Sequence, residues 1–285
     1  MWFIGASTLL VVLSTVSIAI YGFRAGIDLQ GGTLWQVHFE KNVSLEELET
    51  YFQGAGLTNV LIIADAQQNG YIVRTNELPE DQHQRFSDEL KLKFGAFQEP
   101  RFESIWPTVG RELRDKSLRA FFIVLFGISL YVAFSFRKVS QPVSSWKYGV
   151  VTLVTLFHDA IIPAGMYAWL GSWKGIEIDT NFIVAILVIV GFSVHDTIVV
   201  FDRIRENLIV HKGKPLDVII NESVNQTFAR SVNTSLTLVL VLIAMYLFGA
   251  TTLSYFILTI LVGTVIGTYS SIFVASPLLT FLQKK

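Results

Sequence analysis

The sequence contains no cysteine among its 285 residues, so a disulfide, a catalytic thiol and a thiolate metal site are all excluded. Charged residues are also scarce, at 16%, and the formal net charge is -1. Without clustered basic charge the chain has no electrostatic attraction for nucleic acid. We therefore expect no nucleic-acid partner and no redox chemistry through sulfur.

Apolar residues take the place of the missing charge. They make up 52% of the chain, and the mean hydropathy is +0.51. A helix needs roughly 20 mostly apolar residues to cross the hydrocarbon of a membrane. The sequence predicts an α-helical polytopic membrane protein with six transmembrane helices, at Met1 to Phe23, Ala120 to Phe136, Tyr148 to Trp173, Asn181 to Phe201, Ser231 to Leu247 and Leu253 to Leu282. A cleaved signal peptide is the alternative for the first stretch, but the stretch is long and no basic segment precedes it.

Between the first two helices the pattern changes to frequent charges and alternating apolar residues, which is typical of a folded aqueous domain. We assign residues 1–23 to transmembrane helix 1, 24–116 to an extracytoplasmic α+β domain and 117–285 to a five-helix transmembrane bundle. The inserted domain reads βαββαβ, the ferredoxin-like order. Its strands are predicted at Thr33 to Glu40, Thr58 to Ala66, Tyr71 to Asn76 and Arg101 to Trp106, and its helices at Ser44 to Gln53 and Glu80 to Phe94.

Short-loop charges predict the orientation, because Lys and Arg favour the cytoplasmic side. The opposite short connections carry only Lys174, against Glu177 and Asp179. The other short loops and the tail carry nine basic residues, all on one side of the membrane: Arg137, Lys138, Lys147, Arg203, Arg205, Lys212, Lys214, Lys284 and Lys285. We therefore expect a multi-pass protein of the bacterial inner membrane, surrounded by lipids, with both termini cytoplasmic. Near residues 215–229 an amphipathic cytoplasmic helix is predicted, and its apolar face favours packing against protein over lipid sensing.

Five ionisable residues stand out because they lie in or at the apolar stretches: His158, Asp159, His195, Asp196 and Arg230. A charge at the centre of a spanning helix costs about 2.5 to 3.5 kcal/mol, so such residues usually line a wet or protein-filled interior and move ions or protons. From their depths, Asp196 and Arg230 could meet and form a proton switch. The alternative is that these residues only hold the helices together through interhelical hydrogen bonds and transport nothing. A metal site is disfavoured, since neither His-Asp pair has a second ligand one helical turn away.

Glycine patterns suggest structural roles. Gly263 and Gly267 form a GxxxG motif, for which close helix packing is the default interpretation. Asp28, Gly31 and Gly32 are predicted to shape a turn at the base of the inserted domain, a role we favour over substrate contact. Four aromatic residues of that domain could bind unfolded polypeptide, although half or more are expected in its core: Tyr51, Phe52, Phe97 and Trp106.

Four segments, residues 26–33, 191–207, 225–235 and 267–277, closely resemble motifs of the SecF family within the resistance-nodulation-division superfamily. The resemblance implies a subunit of Sec-dependent protein export, driven by the proton motive force, whose partners are SecD, the SecYEG channel and the unfolded exported polypeptide. It also implies that protons are the coupling ion, that there is no cofactor, and that Asp196 and Arg230 occupy the proton pathway. His195, where many members are expected to have Asn, and Phe192, in place of a common Tyr, depart from the pattern.

Two other functions remain open at this point. A proton-coupled efflux half-transporter for lipids or small molecules fits the same superfamily plan, and a non-conducting assembly factor fits if the buried charges are only glue. A hydrolytic enzyme is not expected, because the sequence has no nucleophile elbow, phosphate loop or zinc motif.

Overall fold

The computed structural model describes residues 2–57, 59–65, 70–138, 143–211 and 213–283. It divides into two compact units: Met1–Arg24 with Leu118–Lys285, here called the helical unit, and Ala25–Ser117, here called the α+β unit. Some sequence predictions fall outside the described residues, namely both ends of the strand predicted at Thr58 to Ala66 and the basic residues Lys212, Lys284 and Lys285.

The α+β unit contains a four-stranded antiparallel sheet in the order β2-β3-β1-β4. Apolar side chains on one face of this sheet pack against two helices, α3 and α4, and form the core of the unit around Trp35, Phe52 and Phe86. The elements are α2 Ile27–Gln30, β1 Gly32–Phe39, α3 Leu45–Gly54, β2 Leu61–Asp65, β3 Gly70–Thr75, α4 Glu80–Phe94 and β4 Phe97–Ile105.

Local sequence explains where the helices of this unit begin and end. Ser44 and Glu47 form the predicted capping box, with the Ser44 N–H donating to Glu47 Oε2 at 3.0 Å. That bond lowers the pKa of the Glu47 carboxyl. Helix α4 has the predicted bounds and ends at Gly95, whose φ of 92° suits glycine. Strand β4 begins four residues before the predicted start at Arg101, because Pro100 is tolerated on an edge strand.

Within the described residues, six helices are long and apolar enough to cross a membrane, and one of them, α5, begins in the α+β unit. They are α1 Trp2–Tyr21, α5 Pro107–Ser135, α6 Ser145–Lys174, α7 Thr180–Val210, α8 Leu216–Phe248 and a last span from Ser254 to Gln283. The most buried of these spans are α6, α7 and the last one, whereas α1, α5 and α8 are largely exposed. The polar residues considered below therefore lie on the inner helices or face them.

Helix α8 corrects the sequence prediction of a separate amphipathic helix near residues 215–229. It runs without a break from Leu216 to Phe248, because no proline or glycine interrupts it. Ile219 and Ile220 are buried in one core cluster with Phe201 of α7. The apolar face of this segment thus packs against protein, whereas Phe228, predicted on the same face, is exposed.

The last span changes helical pitch near its end. Helix α9 covers Ser254–Ser270, a π-helical segment covers Ser271–Ala275, and α10 covers Ser276–Gln283. Pro277 accounts for the wider turn, because proline has no backbone N–H and its ring crowds the carbonyl four residues earlier. Ser270, the last residue of α9, and Ser271, the first of the π-helical segment, are both fully buried.

Candidate functional site

Asp159 is fully buried and lies where three helices meet. Its Oδ1 is 2.8 Å from Nδ1 of the neighbouring His158 on α6. Its Oδ2 accepts a hydrogen bond from Ser193 Oγ of α7 and a second from Ser270 Oγ of α9, the latter at 2.7 Å. A buried carboxyl group without partners would be costly, and these contacts offset that cost. Asp159 therefore ties α6, α7 and α9 together.

Asp196 is the centre of a second polar cluster and lies about one helical turn after Ser193 on α7. It is 2% exposed, and its Oδ2 accepts from Ser235 Oγ of α8 at 3.3 Å. Ser235 Oγ lies 2.5 Å from Thr268 Oγ1 of α9. The second cluster therefore joins α7, α8 and α9. Helices α7 and α9 thus contribute residues to both clusters.

A hydroxyl contact lies beside both clusters. Thr197 Oγ1 is 2.9 Å from Ser271 Oγ, and Thr197 also donates to the carbonyl oxygen of Ser193 at 3.2 Å. On α7 the residues Ser193, Asp196 and Thr197 follow at spacings of three and one, so all three fall on the buried side of the helix. The interior of the bundle therefore carries several hydrogen-bonded groups of polar side chains instead of isolated polar residues.

Three buried polar atoms near the clusters have no hydrogen-bond partner in the part of the chain that the structure describes. They are His158 Nε2, Ser231 Oγ and Thr264 Oγ1. Ser231 precedes Ser235 by one helical turn on α8, and Thr264 precedes Thr268 by one turn on α9. Buried polar groups are usually paired with protein or ordered water, so these atoms can take up further hydrogen bonds.

Helix α6 is locally weakened next to Asp159. Pro163 lies inside α6, four residues after Asp159, and has no N–H to donate to the carbonyl of that residue. One turn of the helix therefore lacks a backbone hydrogen bond at the position of the buried carboxyl group.

The expected contact between Asp196 and Arg230 is not formed. Arg230 is exposed, and no ion pair among the described residues joins it to Asp196. The reason is rotation and not depth: Arg230 and Ser235 are five residues apart and point about 140° away from each other on a helix. Ser235 faces Asp196, so Arg230 faces away. His195 is also exposed, although Asp196 beside it is buried.

The two glycines of the GxxxG motif line the contact between α9 and α7. A Cβ atom at Gly263 would lie 2.3 Å from side-chain atoms of Ile189, and one at Gly267 would lie 2.9 Å from Cβ of Ser193. Either contact is too close for a larger residue without movement. Gly267 therefore brings α9 close to the same serine that binds Asp159.

The predicted turn before strand β1 contains the short helix α2 followed by two glycines of positive φ, Gly31 at 84° and Gly32 at 118°. A Cβ at Gly31 would lie 2.4 Å from Cα of Pro107, and one at Gly32 would lie 2.9 Å from the carbonyl oxygen of Thr75. Asp28 lies within α2 and is partly buried. The position of these residues agrees with a role in shaping the backbone.

The four aromatic candidates of the α+β unit separate into core and surface residues. Phe52 is fully buried, and Tyr51 and Phe97 pack against the same core. Burial raises the pKa of the Tyr51 hydroxyl, which donates to Glu89 at 2.8 Å. Trp106 is 58% exposed. Of these four residues, Trp106 alone remains available for binding.

Sequence reasoning found the carboxyl groups but missed the hydroxyl groups that bind them, namely Ser193, Ser235, Thr268 and Ser270. A usable signal was present, because small hydroxyl residues recur at spacings of four and three in apolar helices, as at Ser231, Ser235 and at Thr264, Thr268, Ser271. Among the described residues, no group of three or more His, Cys, Asp or Glu side chains could hold a metal ion.

The fold and these clusters define a class: a multi-pass membrane protein with carboxyl groups buried between its spanning helices and one inserted α+β unit. Residues 86–285 match the family model for the protein export membrane protein SecD/SecF, C-terminal. The chain is 42% identical to protein translocase subunit SecF of Thermobaculum terrenum, with 98% of this chain and 90% of that protein covered. It is 38% identical to protein translocase subunit SecF of Sebaldella termitidis, with 98% of this chain and 88% of that protein covered.

The chain therefore belongs to the SecF family of protein translocase subunits, and it is a multi-pass protein of the inner membrane. The crystal structure of SecDF from Thermus thermophilus, a translocon-associated membrane protein, matches with a TM-score of 0.82 and 34% identity. The match covers 99% of this chain but 37% of SecDF, so the chain spans about a third of that longer protein.

Proposed function

We propose that this chain is a proton-coupled accessory subunit of Sec-dependent protein export, which helps to pull or release exported polypeptides outside the membrane. The observation that carries the proposal is the position of Asp159 and Asp196, buried between spanning helices and bound by hydroxyl groups of the neighbouring helices. Ionisable residues in such places commonly serve ion or proton pathways. The relatives are named protein translocase subunits, which favours export over an efflux function.

Coupling would follow from helix movement around the carboxyl groups. Asp196 is bound from α8 by Ser235, which also contacts Thr268 of α9. The number of donors around a carboxyl group alters its affinity for a proton. A shift of α8 relative to α7 would therefore change the protonation of Asp196, and protonation would in turn favour one helix arrangement. Protons are the proposed coupling ion, with no bound cofactor.

Residues His158, His195 and Arg230 are proposed to assist this pathway. His158 contacts Asp159 and has a buried Nε2 without a partner in the described residues, so it can accept or donate a proton there. His195 and Arg230 are exposed on α7 and α8. In a second conformation, a rotation of α8 would be needed to bring Arg230 toward Asp196.

Helix α8 supports a proposed association with SecD. At about 100° per residue, three faces can be separated on this helix. Ser231, Ser235 and Leu242 form the buried face, and Leu236, Leu240, Ile243 and Leu247 form an exposed apolar face. A third, exposed face is polar, and we call it the α8 polar stripe: Arg230, Asn233, Thr234 and Thr237.

Polar side chains are costly against lipid, so the α8 polar stripe is expected to face protein or water. A second six-helix half, supplied by SecD, would cover it and the exposed His195 of α7. The longer length of SecDF, of which this chain matches 37%, supports SecD as that half. We also propose that the complex works beside the SecYEG channel, as implied by the description of SecDF as translocon-associated.

The proposed orientation has both termini in the cytoplasm and the α+β unit outside the membrane. It is supported by the basic residues of the short loops, such as Arg137, Lys147 and Arg203. We further propose a ferredoxin-like fold for the α+β unit, supported by its βαββαβ core order and the strand order β2-β3-β1-β4.

The test uses vesicles that contain the SecYEG channel, SecD and this chain, in which export of a preprotein is measured with and without a pH gradient. Replacing Asp196→Asn removes the charge but keeps hydrogen-bonding capacity. We expect the gradient-dependent stimulation to disappear while the complex still assembles. The matched control is Asp202→Asn on the same helix, because Asp202 is exposed and paired with Arg205 at 2.7 Å. Stimulation that survives in Asp196→Asn would mean that Asp196 is only glue between helices.

A further inference from the structure

The two edges of the sheet in the α+β unit differ in how they are protected. Strand β4, at one edge, carries Glu99, Pro100, Arg101 and Glu103. Arg101 binds Glu103 through two hydrogen bonds of 2.8 Å, which places an ion pair along this edge. Charges and proline on an edge strand prevent another strand from pairing with it. The β4 edge is therefore blocked.

Strand β2, at the other edge, has none of these features in its first four residues. Its sequence from Leu61 to Ala64 is entirely apolar. Ile62 is buried in the core, whereas Leu61 is 54% and Ile63 is 41% exposed on the opposite face. In the described part of the chain, β2 pairs only with β3, so alternate backbone N–H and C=O groups point away from the sheet. An exposed apolar edge of this kind is a template for a further strand.

The side chains next to the edge extend the apolar surface. Ile63 lies directly opposite Ile72 of β3, and Leu61 lies opposite Arg74. The open face of the sheet therefore offers two exposed aliphatic side chains and a third beside them. A pairing strand would have alternate side chains on this face, as strand addition requires.

We propose that the β2 edge binds an extended, apolar segment of the exported polypeptide by strand addition. The proposal rests on the proposed role in export for its choice of ligand. Backbone hydrogen bonds would supply most of the recognition, so the site would accept many sequences, as a binding site for varied unfolded chains must. Leu61 and Ile63 would favour aliphatic side chains in alternate positions.

The size of the edge argues for this occupant over a permanent protein partner. β2 has five residues, of which about two or three point their backbone N–H and C=O groups outward, so an added strand gains only about four to six backbone hydrogen bonds. A stable protein interface buries roughly 1,200 to 2,000 Å², far more than such an edge supplies alone. A short, weak site suits a segment that must bind and leave as the chain moves outward.

The test exploits the absence of cysteine. Three single-cysteine variants of the full chain are prepared: Ile63→Cys on the β2 edge, Gln98→Cys on the β4 edge and Leu92→Cys on helix α4. All three positions are exposed and lie in the same unit. Each variant is assembled in vesicles with the SecYEG channel and a cysteine-free SecD. A preprotein stalled during export, carrying a thiol-reactive cross-linker in an apolar segment, is then added.

We expect Ile63→Cys to cross-link to the stalled preprotein and the other two variants to react at least several-fold less.

A pair of lysine variants, tested for peptide binding, distinguishes binding at the β2 edge from chance proximity. A lysine on the edge blocks strand addition, so Ile63→Lys should lower the binding of a heptapeptide of alternating Val and Thr by about tenfold, whereas Leu92→Lys should not. N-methylation of alternate backbone nitrogens in that peptide should also abolish binding, because it removes the hydrogen bonds.

Equal cross-linking at all three positions or no cross-linking at Ile63→Cys would each overturn the inference. Peptide binding that is insensitive to N-methylation would also overturn it, since a strand must pair through its backbone. None of these measurements needs a pH gradient. A failure of proton coupling in the Asp196→Asn experiment is therefore distinguishable from a failure of the β2 edge site.

Discussion

At the scale of single residues, small side chains determine how closely the polar helices approach. Gly267 allows α9 to lie against α7 beside Ser193, the residue that donates to Asp159 of α6. Gly263, one turn earlier on α9, leaves room for Ile189 in the same way. Hydrogen bonds between helices require this proximity, since a donor must lie within about 3.2 Å of its acceptor. The same small residues therefore permit both the close packing of the helices and the hydrogen bonds between them.

We predict that Gly263→Ala destabilises the protein by about 1 to 3 kcal/mol, because the added methyl group overlaps buried atoms of Ile189. The measurement is thermal unfolding of the purified protein in detergent. Gly127→Ala on α5 is the matched control, since a Cβ there meets nothing within 4 Å. Combining Gly263→Ala with Ile189→Ala should cost less than the sum of the two single changes. Strict additivity would show that the two residues do not compete for space.

Residue-level prediction from sequence had a clear limit. Asp159 and Asp196 could be found because a carboxyl group in an apolar run is conspicuous. The spacing of serine and threonine could narrow the hydroxyl partners to a set of candidates but not identify them, because these residues occur throughout spanning helices and often bond their own backbone. The prediction that Asp196 contacts Arg230 was wrong because it considered only the depth of each residue along its helix. It left out the helical rotation, which turns Arg230 away from the side of α8 where Ser235 meets Asp196.

At the scale of whole elements, continuity of helix α8 is the main difference from sequence expectation. The change from an amphipathic to an apolar pattern near Arg230 suggested two helices, yet a change of environment does not end a helix without a breaking residue. By contrast, α4 was placed well, because Pro79 and Gly95 mark its two ends. Breakers are local signals, whereas the surroundings of a helix depend on tertiary packing.

We predict that Ala229→Pro strongly destabilises the protein, by about 3 kcal/mol or more, because it interrupts the backbone hydrogen bonds of one continuous helix. Ala229 is exposed, so the effect cannot come from lost packing of its side chain. Ala229→Gly is the control and should cost only about 1 kcal/mol. Thermal unfolding in detergent measures both. If the proline variant were as stable as the glycine variant, the segment before Arg230 would be an independent helix.

At the scale of the whole molecule, the chain corresponds to one part of a longer protein, SecDF. Its length suffices for six spanning helices. It covers nearly the whole length of its SecF relatives but only 37% of the length of SecDF. Hydrophobic runs of membrane length made the six-helix plan predictable from sequence. The exposed α8 polar stripe was not predictable, because exposure is set by which side of α8 meets α7 and α9.

The stripe leads to a prediction about SecD that a single thiol can test. In Thr234→Cys, the sulfur would lie on the α8 polar stripe, and a maleimide should label the purified protein readily in detergent. Complex formation with a cysteine-free SecD should slow that labelling several-fold, because the partner excludes the reagent from a buried interface. Leu240→Cys, on the exposed apolar face of the same helix, should label at the same rate with and without SecD.

Each result has a definite meaning for the assembly. Protection of Thr234→Cys alone would place SecD against the polar face, where Arg230 and Asn233 gain partners and the cost of polar side chains facing lipid is removed. Equal labelling of Thr234→Cys with and without SecD would mean that another molecule or water covers the stripe. Protection of Leu240→Cys instead would put SecD on the apolar face, and the polar residues of α8 would then need a different explanation, such as a water-filled path that leads to Asp196 from the side.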